Sequence, residues 1–168
     1  MSYLTNPYRY APVGECKDCT GFDAIDSENG DDTYLRSIST TASSSYTATG
    51  LCCAISDSGN GLGLIKLGLY ADSGGVPTTR LAYMNATQAV NGNNLNSYEL
   101  NVPVSISSGT KYWIAMIADT AMYFRSTGLQ PSCTMRWKYG IDFTSILPNP
   151  FGSTSCSTTG MQFCIFGA

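Results

Sequence analysis

The sequence contains no histidine. That single absence removes the Ser-His-Asp and Cys-His nucleophiles and every zinc site that depends on an imidazole. Charge is scarce as well, at 12% of residues, and Lys plus Glu together number seven, so the residues that favour solvent-exposed helices are nearly missing. The nine basic residues are scattered and the formal net charge is −3. With no basic stripe to displace counterions from a phosphate backbone, the composition argues against nucleic acid as a partner. No run approaches the roughly 18–20 apolar residues of a membrane span, which argues against a membrane partner. Met1 to Tyr10 lacks the basic region and apolar run of a signal peptide, so the sequence reads as a chain made without a secretion signal.

What is present points to strands and turns. Ser, Thr, Gly and Asn fill 65 of the 168 positions, and these residues favour turns and strands over helix. With 43% hydrophobic residues, the length suits one domain with a core of its own. From Thr33 onward short apolar runs alternate with turn clusters. Tyr34 to Thr40, Tyr46 to Ile55 and Leu62 to Tyr70 are the first three expected strands, followed by a DSGGVP turn. Tyr98, Leu100, Val102, Val104 and Ile106 alternate with polar residues at period 2, and Pro103 marks an edge position or a bulge. Lys111 to Asp119 is apolar on both faces and belongs in the middle of a sheet. Met122 to Thr127, Thr134 to Tyr139 and Met161 to Phe166 complete the set. Eight or nine strands at this spacing imply an all-β fold, an antiparallel β-sandwich of jelly-roll or Ig-like type.

Residues 1–32 read differently and are taken as an extended arm and acidic loop ahead of a sandwich domain at 33–168. Tyr3, Tyr8 and Tyr10 give the arm rigid aromatic contact surface suited to clasping a neighbouring subunit. Seven of the twelve acidic residues, among them Glu15, Asp18 and Asp23, fall between positions 15 and 32. The segment lacks the ligand spacing, Gly and closing Glu of an EF-hand loop, so it reads first as a solvated loop with no metal, and a calcium site is the second reading.

The seven cysteines are Cys16, Cys19, Cys52, Cys53, Cys133, Cys156 and Cys164. Structural disulfides are the first reading; an odd count leaves at least one thiol over. Cys156 and Cys164 flank a short turn and are placed to face each other across a hairpin, while Cys16 or Cys19 would tie the arm to the sandwich. Cys52 and Cys53 must point to opposite faces of a strand.

The order IKLGLYADSGGVPTTRLA, then LNVPVSISSGTKYWIAMIAD, then ILPNPFG resembles a β-sandwich module of bacterial extracellular proteins and phage structural proteins, over roughly residues 60–168. The resemblance implies a jelly-roll-like sandwich used for adhesion, decoration or binding, with no catalytic residues and no cofactor to carry over. The expectation is therefore a non-enzymatic protein on the virion surface, assembled in the host cytoplasm: a tailed-phage capsid decoration or cement protein, or a small tail or fibre component. Its partners would be capsid or tail subunits and further copies of itself. The alternative is an extracellular carbohydrate-binding or adhesion module that attaches to a host surface glycan, with Trp137, Tyr139 and Tyr123 as candidate stacking residues.

Overall fold

The computed structural model describes residues 15–20, 27–30, 33–56, 63–85, 87–88, 95–120, 122–129, 133–157 and 159–168. Among these the chain forms fourteen strands and no helix. They are β1 (Glu15–Cys19), β2 (Ser27–Gly30), β3 (Tyr34–Thr41), β4 (Tyr46–Ser56), β5 (Leu64–Ser73), β6 (Val76–Tyr83), β7 (Thr87–Gln88), β8 (Leu95–Ile106), β9 (Lys111–Ala118), β10 (Met122–Leu129), β11 (Met135–Tyr139), β12 (Ser155–Ser157), β13 (Thr159–Met161) and β14 (Phe163–Gly167). The arm tyrosines Tyr3, Tyr8 and Tyr10 lie outside the described residues.

Two antiparallel sheets pack as a β-sandwich. One runs β1-β14-β4-β10-β13, with β8 also pairing β4 and β2 pairing β10; the other runs β12-β11-β3-β9-β5-β6, with β7 on β5. Side-chain parity explains the packing. In β9, Tyr112, Ile114, Met116 and Ala118 point into the core between the sheets, where they meet Ile38, Leu67, Leu51, Ile55, Phe163 and Ile165. The intervening Trp113, Ala115 and Ile117 point the other way. A strand buried on both faces reads as a continuous apolar run, and β9 does lie between β3 and β5.

Pro103 has the position its chemistry requires. Among the described residues β8 pairs with β4 alone, and the register jumps from Ala48↔Val104 to Gly50↔Glu99. Pro103 therefore sits in an irregularity of an edge strand, where no ladder needs its missing N–H. The irregularity also turns Val102 outward to 45% exposure, although it falls on the buried side of the period-2 pattern.

The outward face of β3-β9-β5 carries a second core. Leu35, Tyr70, Trp113, Ala115 and Ile117 are covered there by Leu147 and Phe151, which belong to an irregular stretch after β11. Residues 140–154 thus form a strap across the sheet. An irregular segment has no ladder to satisfy its carbonyls, and here long basic side chains reach several of them. Lys66 donates through Nζ to the Phe143 and Ser145 carbonyls, Arg80 to Leu147, and Lys138 Nζ to Phe151 at 2.9 Å. Three of the nine basic residues are consumed this way, and a fourth, Arg136, donates to the Gly75 carbonyl of the β5–β6 turn at 2.9 Å.

Three disulfides crosslink the molecule: Cys16–Cys52, Cys19–Cys164 and Cys133–Cys156. The hairpin pairing of Cys156 with Cys164 is corrected by these partners. Cys156 sits on β12 opposite β11 and reaches Cys133, whereas Cys164 on β14 faces β1. Residues 15–19, grouped with the arm on sequence grounds, form an edge strand on β14, and both of their cysteines are anchored. Cys52 joins an outward cluster with Cys164 and Phe166, while Cys53 points into the inter-sheet core as a buried free thiol, the opposed orientation that neighbours in a strand must have.

Candidate functional site

The motifs that carry the module resemblance converge on the strap. Gly68 of IKLGLY leaves room that Leu147 of ILPNPFG fills; a Cβ at Gly68 would meet Leu147 Cδ1 and Tyr70 Cε2 at 2.9 Å. Tyr70 packs edge-on against Phe151 at 5.1 Å and donates its hydroxyl to the Pro148 carbonyl at 2.9 Å. Trp113 of KYWIA donates its indole N–H to Asp72 Oδ1 at 2.7 Å, and Asp72 Oδ2 accepts from the Gly75 amide in the turn. Gly74 and Gly75 both have positive φ, which their lack of a side chain permits. Burial raises the Tyr70 phenol well above its usual range. The polar groups of Tyr70, Asp72 and Trp113 are thus engaged with the fold, and these residues build a layer.

A second concentration of aromatic residues lies at the open corner formed by β3, β11 and β12. Register places Tyr139 opposite Tyr34 and Trp137 opposite Arg36. All four share the face of Ile38 and Met135, which are in the inter-sheet core, but they lie beyond its end. Tyr34 and Trp137 meet edge to face at 5.3 Å, and Tyr34 and Tyr139 at 5.1 Å with a 52° tilt. Arg36 lies over the Tyr34 ring at 5.8 Å. Trp137 and Tyr34 are half-buried, whereas Tyr139 is 65% exposed. A cleft of about 180 Å³ opens here between Tyr34, Arg36, Met135, Trp137 and Ser157.

A larger cleft, about 500 Å³, lies where Thr33, Asp119 and residues 140–144 meet. Its carboxylates already serve the backbone. Asp119 accepts from the Leu64 amide, and Asp142 accepts from the amide and hydroxyl of Thr144, both at 2.8 Å. The Thr144 backbone and side-chain bonds hold the exposed Asp142 carboxyl below the usual carboxylate range. No group of three or more metal-ligating side chains occurs among the described residues.

In the acidic segment, Asp18 is buried to 8% exposure. It accepts from the Ser43 amide at 2.8 Å, the Ser43 hydroxyl at 2.7 Å and the Tyr46 hydroxyl at 2.8 Å. Burial opposes its ionisation, but the bonds from Ser43 and Tyr46 outweigh that and hold its pKa below the ordinary value. Asp18 therefore clamps β1 to the β3–β4 turn. Asp23, Asp26, Asp31 and Asp32 lie outside the described residues.

Of the stacking candidates, Trp137 and Tyr139 are brought together; Tyr123 is described only as part of β10, paired with Asn29 and Ser56. Tyr34 and Arg36 were not singled out by sequence. Their alternation with Leu35 and Ser37 gives their parity, but their register partners, 105 and 101 positions away, depend on strand pairing. No family model matches the chain, and no curated protein is similar to it.

Proposed function

We propose that this chain is a non-enzymatic structural protein on the exterior of a particle, in the manner of a tailed-phage decoration, cement or small tail component. The observation that carries this reading is the disulfide frame. Such crosslinks persist where the surroundings oxidise, including virion and cell surfaces, and are rare inside cells. Two of the three bridges fix β1, the strand that follows the tyrosine-bearing arm. The sequence resemblance to phage and extracellular sandwich modules supports the same setting, and capsid or tail subunits and further copies of the chain are the proposed partners.

The test is to delete residues 1–14, which leaves β1 and its cysteines in place, and to measure attachment to purified particles lacking the protein. Attachment should be abolished while the melting temperature stays close to that of the full chain. Undiminished attachment would sink the proposed role of the arm. Native mass spectrometry of the full chain is expected to show a symmetric oligomer, and a monomer at all concentrations would remove self-assembly from the reading.

A further inference from the structure

We propose that the corner formed by Tyr34, Trp137 and Tyr139 is a binding site for one pyranose ring of a glycan. The inference does not depend on where the protein resides, since it rests on the chemistry of the cleft.

A sugar ring has an apolar face of C–H groups and a rim of hydroxyls. A site for it needs a fixed aromatic surface, whose negative π face attracts those C–H groups, beside groups that exchange hydrogen bonds with the rim. The corner offers both. The Tyr34 ring leans on Trp137 at an interplanar angle of 63° and on Tyr139 at 52°, and the cleft opens beside Tyr34 and Trp137. Two adjacent β strands fix their backbones through the Tyr34↔Tyr139 and Arg36↔Trp137 pairs. Rings held in this way lose little rotamer freedom when a ligand arrives, so more of the contact energy appears as affinity.

The two tryptophans of the chain differ in a way that favours this assignment. Trp113 is 1% exposed and its indole N–H is committed to Asp72. Trp137 is half-buried at the lip of the cleft, where its N–H can donate to a ligand hydroxyl. The exposed Tyr139 packs on the other side of Tyr34, next to the cleft, and its phenol can both donate and accept. The Asp119–Asp142 cleft is larger, but both of its carboxylates are occupied by backbone amides. The strap core is closed by its own side chains. At the aromatic corner two ring faces, Tyr34 and Trp137, meet the hydrogen-bonding groups of Arg36 and Ser157 at an opening.

The full chain should be screened on an array of neutral and acidic glycans. It should then be titrated with methyl glycosides of glucose, galactose, mannose and N-acetylglucosamine, with tryptophan emission as the readout. The expected result is saturable binding of at least one glycan together with a change in emission that disappears in Trp137→Phe, since Trp113 is sealed from solvent. Tyr139→Ala should weaken binding about tenfold or more, the scale of one stacked ring. Because Tyr139 is 65% exposed, that variant should melt near the parent temperature, and Tyr139→Phe should retain most of the affinity. A flat array, or binding that survives Tyr139→Ala unchanged, would overturn the proposal.

Discussion

The Trp113 indole and the Asp72 carboxylate meet at 2.7 Å, joining the middle strand of one sheet to the turn between β5 and β6. The same carboxylate takes the Gly75 amide, and Gly75 in turn offers its carbonyl to Arg136, which also approaches the Trp113 ring at 5.9 Å. The turn, β9 and β11 are thereby held in one polar network over the outer core. Replacing Asp72 with Ala strands the indole N–H and the turn amide. The expected loss is about 1–3 kcal/mol of stability, the cost of unpaired buried donors, read by denaturant unfolding and by the near-ultraviolet dichroism of Trp113.

Gly68 and Leu147 form a lock between β5 and the strap. Gly68→Ala puts a methyl group within 2.9 Å of Leu147 Cδ1 and should cost about 1–3 kcal/mol through overpacking. If the clash with Leu147 is the cause, combining it with Leu147→Ala should cost less than the two single changes added together. Strict additivity would show that the strap does not seat there.

Six cysteines are bridged and Cys53 is buried; burial pushes the Cys53 thiol up to about 12. Because the thiolate is the reactive form, iodoacetamide should label no cysteine in the native protein. In denaturant without reductant it should label Cys53 alone, as peptide mass spectrometry would reveal. Labelling elsewhere would contradict the pairing.

Loop closure ranks the bridges. Cys19–Cys164 spans a separation of 145 residues and Cys133–Cys156 one of 23. On the chain-entropy relation, removing the first alone should cost about 5 kcal/mol and the second about 3. Paired Cys→Ser variants compared by denaturant unfolding check the order.

Acid should weaken the clamp at β1. Asp18 has a folded pKa below its unfolded value because its bonds from Ser43 and Tyr46 outweigh the effect of burial. Its contribution is therefore present in full above the unfolded carboxyl value near 3.9 and is lost as pH falls through the lower folded value. Asp18→Asn should flatten the stability profile in that acid range. A profile with the parent's slope would assign the acid sensitivity to other carboxyls.

Local pattern in the sequence was enough for most of the longer strands and for which of their side chains share a face. Tyr112 and Trp113 part to the two sides of β9, Cys52 and Cys53 to the two sides of β4, and Pro103 marks an irregular edge; all follow from a period of two, which the backbone imposes on neighbours. Pattern alone does not reveal β6, because Pro77, two threonines and Arg80 interrupt its alternation. What lay beyond local pattern was every relation between distant positions. That Cys19 meets Cys164 and not Cys156, that Leu147 fills the gap at Gly68, and that Tyr34 stands beside Tyr139 are decided by sheet order and register. These depend on which strands the whole chain can pair while burying both faces of β9, and a periodic signal carries no address for its partner. The strap shows the limit most plainly: residues 140–154 have no period to detect, because their carbonyls are satisfied by Lys66, Arg80 and Lys138 from the sheet beneath, and only the tertiary fold brings those side chains to them.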